Sequence, residues 1–320
     1  MQVRLLLGCA GSGKTFRCLN EARQALCAAP EGPPLILVAP KQGTYQLEQQ
    51  LLSNSDLAGY TRLSILSFES LARFVFDKLN RPCPGVLSED GRVMVLRALL
   101  AQKRERLKVF RASARLTGFA QQLSRVVTEL QRAQLSPVML RQLAGDAPQA
   151  EGLALKLHDL ATLLEEYQNW LTSHQLQDGD ALLMLAARLL REKAHPAFDV
   201  EALWVDGFAE FSALELDLLC ALMPCCDRAT LTFCLDAVPS QKISWLSHWS
   251  MVSRSFAACR KHFDAVANVE VVTETLPRAA VDRRLSKNPV LQHIEASWES
   301  GRPYQAAPAN LRESLRLVAC

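Results

Sequence analysis

Short runs of consecutive apolar residues alternate along this chain with longer stretches whose apolar positions recur three and four apart. Val3–Leu7 is one such run and predicts a buried parallel strand. Phe16–Ala28 follows as a helix, with Leu19, Ala22 and Leu26 on one side. The proline-bounded run Pro34–Pro40 predicts a second strand and Gln46–Leu52 a helix. Arg62–Phe68 predicts a third strand and Glu69–Leu79 another helix, with Leu71, Phe74 and Val75 aligned. Pro82-Cys83-Pro84-Gly85 breaks the alternation. From Ser88 to about Arg191 the pattern is almost wholly helical, rich in Leu, Ala, Arg, Gln and Glu. Strand character returns at Ala202–Val205, Ala229–Leu235, Asn268–Val272 and Leu315–Ala319. Strands alternating with helices predict an α/β fold, a parallel sheet with helices on both faces. The helical block reads as an all-helical inserted subdomain. The expected division is residues 1–80 and 196–320 for the two parts of the sheet domain and 81–195 for the insertion.

Between the first strand and the first helix lies Gly8-Cys9-Ala10-Gly11-Ser12-Gly13-Lys14-Thr15, which matches G-x-x-x-x-G-K-[ST]. Average residue frequencies give this pattern by chance in about one chain of this length in a hundred. A strand before it and a helix after it make coincidence rarer still. Gly8, Gly11 and Gly13, with Ser12 between them, let backbone N–H groups turn toward a phosphate at the helix N-terminus. Lys14 supplies a point charge to β/γ-phosphate oxygens, and the Thr15 hydroxyl can ligate Mg²⁺. The expected ligands are ATP and Mg²⁺.

A nucleotide site of this kind needs, as its second element, an acidic residue at the end of an apolar strand to hold the metal. Ala202-Leu203-Trp204-Val205-Asp206 supplies Asp206; the plainer reading is an Asp closing an ordinary strand. Gly207 follows, where a hydrolytic motor commonly carries Glu to orient water. Glu210 and Glu215 lie nearby, Glu210 four positions beyond Asp206. Binding without fast turnover is the expectation.

Composition changes the picture little. Hydrophobic residues at 49% and charged residues at 22% exclude disordered and fibrous classes, and Lys+Arg 36 against Asp+Glu 33 excludes a histone-like basic chain. No apolar run reaches the ~20 residues that span a bilayer, and the stretch before Cys9 is too short for a signal core. The ten cysteines show no C-x-x-C pair and read as thiols of a cytoplasmic protein rather than zinc ligands. Arg104, Lys108, Arg111 and Arg115 fall at i, i+4, i+7 and i+11, so a continuous helix would align them. Such a face is either a solvated surface or a stripe that tracks DNA phosphates. Trp245, Trp249 and Phe256, also at helical spacing, read as core rather than base-stacking platforms.

Several segments together resemble one family. They are the phosphate loop, Leu37-Val38-Ala39-Pro40-Lys41-Gln42-Gly43-Thr44-Tyr45-Gln46-Leu47-Glu48, Leu66-Ser67-Phe68-Glu69-Ser70-Leu71-Ala72, Leu107-Lys108-Val109-Phe110, Gly118-Phe119-Ala120 and Trp204-Val205-Asp206-Gly207-Phe208-Ala209-Glu210-Phe211 with Glu215. The chain resembles the N-terminal part of AddB, the helicase/nuclease subunit that partners AddA in bacterial double-strand-break processing. The likeness runs from about residue 1 to 235. It implies a superfamily 1, RecA-like P-loop NTPase domain with an all-helical insertion, degenerate as a motor, which Gly207 fits. It also implies contact with the 3′-ended single strand of DNA at Gln42, Thr44 and Phe68, with Phe208 or Phe211 near them. Ser70 stands where the family element has Arg, and Arg73 where an aromatic is expected, so the Chi-reading loops are only partly matched. The family's nuclease carboxylates and iron–sulphur cysteines belong to a distant C-terminal domain, and nothing here matches them.

Two other classes fit the same residues: a self-contained P-loop kinase or ATPase with a helical lid, and a structural DNA-binding module with a static nucleotide. Leu315–Ala319, an apolar strand with no helix after it, makes 320 residues the expected length of a fragment.

Overall fold

The computed structural model describes residues 1–53, 57, 59–116, 118–146, 151–192, 198–239, 243–277, 288–298, 301–305 and 315. Most of the expected strand Leu315–Ala319 lies outside them. The chain forms two compact units: residues 1–67, 199–211 and 223–320 in one, 68–198 and 212–222 in the other.

The first unit is built on β1 (Gln2–Leu7), β2 (Leu35–Val38), β3 (Leu63–Leu66), and three later strands at Val200–Val205, Cys226–Phe233 and Glu270–Thr275. Its helices are α1 (Lys14–Ala28), α2 (Thr44–Leu52), and two further on at Ser250–Asp264 and Pro289–Ser297. The second unit holds α3 (Phe68–Lys78), β4 (Gly85–Leu87), α4 (Glu89–Gln102), α5 (Phe110–Ser113), α6 (Phe119–Arg132), α7 (Pro137–Gly145), α8 (Glu151–Ser173), β5 (Leu176–Asp178), α9 (Gly179–Glu192) and α10 (Ala213–Leu222). In chain order the later strands are then β6, β7 and β8, and the later helices α11 and α12.

Six strands pair in the order β3-β2-β6-β7-β1-β8, every pair parallel. β2 is buried at every position and β6 at all but Glu201, which is why both read as unbroken apolar runs. β1 lies between β7 and β8, with Leu7 opposite Phe233 on one side and Thr275 on the other. Because all strands run the same way, the loops after β1, β2, β6 and β7 leave one edge of the sheet, where open α/β folds bind ligands.

One face of β1 carries charge rather than hydrocarbon. Arg4 donates from Nη2 to both carboxylate oxygens of Glu21 at 2.7 and 2.6 Å, and Trp204 Nε1 and Arg17 Nε donate to the same carboxylate. Burial opposes ionisation of Glu21. The hydrogen bonds from Arg4 and Trp204 outweigh it and hold the carboxyl below the ordinary glutamate range. This cluster ties β1, α1 and β6 together.

The second unit is helical around a core of Leu96, Leu99, Leu100, Leu123, Leu163, Leu164 and Tyr167. Ser88 accepts from Gly91 N–H to cap α4, with Glu89 and Asp90 in its first turn, and Ser136 with Pro137 starts α7 the same way. It departs from the sequence pattern in three ways. A two-stranded parallel sheet, β4 with β5, lies within residues 81–195, expected to be an all-helical insertion. α3, with Leu71, Ala72 and Val75 buried, packs against α9 and groups with this compact unit. α10 also belongs to it, not to the sheet.

The expected continuous helix through Arg104, Lys108, Arg111 and Arg115 is also corrected. Arg104–Arg106 forms a 3-10 turn, Leu107 is extended and buried, and α5 starts only at Phe110. Lys103 and Arg106 pair with Glu166, and Arg111 pairs with Glu105 at 2.5 Å. The basic residues therefore do not share one helix face.

Candidate nucleotide site

β1 ends at Leu7, and the glycine-rich loop turns at once into α1, which begins at Lys14. Gly11 and Gly13 both take left-handed φ values, 71° and 95°, which bend the loop around its own centre. The turn is tight: a Cβ on Gly8 would lie 2.3 Å from Ser12 Oγ. Gly8 N–H donates to Phe233 O, which fastens the loop to β7.

The donors in this loop suit an anion. α1 has no side-chain cap at its N-terminus and no acidic residue in its first turn, so its leading N–H groups and dipole are left for an external acceptor. Ser12 Oγ is buried without a hydrogen-bond partner, which a phosphate oxygen would supply. Lys14 Nζ meanwhile donates to the loop's own carbonyls, Gly8 O at 2.7 Å and Cys9 O at 2.9 Å. The ammonium is thus held above the loop.

Thr15 and Asp206 are 191 positions apart in sequence and in direct contact: Thr15 Oγ1 donates to Asp206 Oδ2 at 2.6 Å. Asp206 is 6% exposed; its other oxygen accepts from Thr232 Oγ1, and its N–H donates to Val38 O at 3.0 Å. β2, β6 and β7 therefore all fix this carboxylate. A hydroxyl and a carboxylate in contact beside the loop are the donor set that would hold Mg²⁺ through oxygen. The metal would supply Lewis-acid polarisation of phosphate oxygens.

Gly207 takes φ 85°, and a Cβ there would meet Pro40 Cδ at 3.2 Å. The missing glutamate is thus a property of the backbone as well as of the sequence. Gly207→Glu is expected to cost about 1–2 kcal/mol from the left-handed conformation and to add no ATP turnover. Urea unfolding and phosphate release check both; turnover gained without loss of stability would contradict it. Glu215 is not available either. It accepts from Ser212 N–H at 2.7 Å while Ser212 Oγ accepts from Glu215 N–H, a capping box that starts α10.

The remaining sequence candidates fall at separate places. Gln42 lies exposed in the loop after β2, and Thr44 opens α2, its Oγ1 donating to Lys41 O. Phe68 opens α3, two residues past β3. Phe208 follows Asp206-Gly207 and starts a line of rings: Phe208–Phe211 at 5.3 Å, Phe211–Phe233 at 6.4 Å, Phe233–Phe256 at 5.4 Å. Arg104, Lys108 and Arg111 lie in the other unit.

Two residues escaped sequence reasoning. Asp236, three past the end of β7, and Glu295 on α12 place carboxylate oxygens within 4.8 Å of Cys9 Sγ and of each other. Asp236 closes an apolar strand just as Asp206 does, and that signal was present. No feature of the sequence pointed to Glu295.

A parallel α/β sheet with a G-x-x-x-x-G-K-T loop leaving its β1 strand, and an aspartate at the end of β6, one strand removed, on the loop's threonine, defines the class. Within that class the chain belongs to the AddB N-terminal family, whose model, described as "ADDB, N-terminal", matches residues 5–295. The B component of the ATP-dependent helicase/deoxyribonuclease of Symbiobacterium thermophilum is 38% identical over 237 residues, 73% of this chain and 20% of that protein. Proteins of the same name from Heliobacterium modesticaldum and Moorella thermoacetica are each 32% identical, over 100% and 98% of this chain and 26% and 27% of theirs. The chain thus spans about a quarter of the length of these relatives or less. Among the described residues no helix is long and apolar enough to cross a membrane.

Proposed function

We propose that this chain is the ATP-binding, DNA-engaging N-terminal region of an AddB-like helicase/nuclease subunit, acting in double-strand-break repair and recombination in the cytoplasm. The observation that carries it is the contact of Thr15 with Asp206 beside Lys14, at a helix N-terminus with no cap of its own. Gly8, Gly11, Ser12, Gly13, Lys14 and Thr15 hold the nucleotide, and Thr15 and Asp206 hold Mg²⁺. The sheet unit is a RecA-like domain, split by the helical insertion. Gly207, and Glu215 committed to its cap, leave no carboxylate to orient water from those positions, so the nucleotide is bound with little or no turnover by this chain alone. The partner is an AddA-like subunit. The substrate is DNA, its 3′-ended strand meeting Gln42, Thr44 and Phe208 of the sheet unit, with nuclease chemistry residing elsewhere in the parent protein.

Calorimetry of the 320-residue chain with ATP and Mg²⁺ tests this. Saturable binding with phosphate release near background, with or without single-stranded DNA, is expected. Absence of binding overturns the reading, and steady turnover by the isolated chain returns it to a self-contained ATPase or kinase.

A further inference from the structure

Trp245, expected in the core, is 81% exposed, and Leu246 beside it is 71% exposed, whereas Phe256 is buried as expected. The physical reason is that residues 244–249 form a turn before α11 rather than a helical face: Ser244 Oγ accepts from Leu246 N–H, and Ser250 Oγ donates to Trp245 O. Trp245 and Leu246 side by side leave a contiguous apolar patch in solvent, the kind of surface that a ligand covers.

Next to this turn is a groove of about 910 Å³. Val238, Pro239 and Ile243 form one wall and α11 the other, with Phe256 and Ala257 on that side. Its lining carries Arg254, Arg260 and Lys261, all exposed, against one acid, Asp264, which lies 3.8 Å from Arg260. Ser250, which lines the groove, donates to Trp245 O, so the groove and the turn that carries the exposed indole adjoin. Together they combine apolar lining, an aromatic face and a surplus of cations. A single-stranded nucleic acid presents the complement, flat base faces and a phosphate at every step. An apolar peptide would leave the cations unanswered, and a small anion would leave Trp245 uncovered.

We infer that the groove lined by Val238, Pro239, Ile243 and α11, together with the adjoining turn that carries Trp245, is a binding subsite for single-stranded DNA. It rests on the DNA-engaging reading above and adds a place for the strand that none of the sequence candidates includes. Trp245 stacks on a base, and Arg254, Arg260 and Lys261 meet the phosphates. Phe256 joins the groove to the line of rings that ends at Phe208, and it packs on Phe233, whose carbonyl holds Gly8 N–H.

The test is fluorescence anisotropy of a labelled oligo(dT) with the 320-residue chain across a series of salt concentrations. Arg254→Ala/Arg260→Ala/Lys261→Ala is expected to reduce the slope of log K against log salt by about two, from roughly 0.7 per phosphate contact. Trp245→Ala is expected to weaken binding about tenfold, the loss of one stacked base, and Trp245→Phe to recover most of it. All four side chains are exposed, and circular dichroism confirms that the variants fold. If the wild-type chain binds while both sets of variants keep its affinity and slope, the strand binds elsewhere: the subsite is overturned and DNA engagement stands. If the wild-type chain binds no oligonucleotide at any salt, both fail. If a poly-glutamate peptide binds the wild type and is lost in the triple variant while oligo(dT) is indifferent, the groove docks protein and the assignment is overturned.

Discussion

Lys14→Ala is expected to weaken ATP binding about a hundredfold or more, the largest functional effect of any single substitution in this chain. The ammonium already makes two charge-assisted hydrogen bonds, to Gly8 O and Cys9 O. Such bonds are worth about 1.5–3 kcal/mol each when formed to a charged group. A phosphate exchanges a pair of neutral carbonyl acceptors for anionic ones, so the variant forgoes the stronger set. It also loses the tether across the first two residues of the loop, which spreads the loss to the Gly8 and Ser12 geometry. About 3 kcal/mol is a hundredfold or slightly more in Kd. Lys14→Arg is expected to rescue poorly, because a planar fork cannot place a point charge where a compact ammonium sits. Calorimetry at fixed Mg²⁺ reads both variants, and an affinity equal to wild type for Lys14→Ala would remove the nucleotide site from this loop.

The centre of the sheet was legible because β2 and β6 are buried almost throughout, and a run such as Leu35–Val38 has no polar alternative. The loop was legible for a different reason: its chemistry is local, and eight consecutive residues carry it. Thr15–Asp206 could be anticipated only through the order of motifs, since 191 residues separate them. The Arg4–Glu21–Trp204 cluster had no such order to announce it. β4 and β5, three residues each, were too short to show a period: β4 directly follows the Pro82-Cys83-Pro84 break, and β5 lies between two leucine-rich helices. Spacing misled at Trp245, because a 3.6-residue period states which residues would align in a helix and not whether one forms. It misled again at Arg104–Arg115, where the interruption comes from a carboxylate some fifty positions away.

That carboxylate is Asp159, and Asp159→Ala is expected to cost about 3–4 kcal/mol, a larger loss than the left-handed strain of Gly207→Glu. Asp159 is 2% exposed and accepts from three backbone N–H groups: Lys108 at 2.9 and 3.1 Å, Val109 at 2.8 Å and Phe110 at 2.9 Å. These donors lie in the turn leading into α5, which at four residues is far too short to stand on its own nucleation. Leading N–H groups of a helix have no partner within it, so removing the carboxylate strands three donors in a place that water reaches poorly. Each costs about 1–3 kcal/mol in isolation, and partial relaxation of so short a segment brings the total below their sum. The segment also positions Leu107, buried in the helical core, and Phe110, which meets Phe119 at 5.2 Å, so its release loosens that packing too. Asp159→Asn keeps one acceptor oxygen but loses the charge and is expected to recover about half of the loss. Urea unfolding followed by circular dichroism measures both as a shift in midpoint with an unchanged slope. A loss below about 1 kcal/mol for Asp159→Ala would mean that Leu107 burial, and not the carboxylate, interrupts the helix between Arg104 and Arg115.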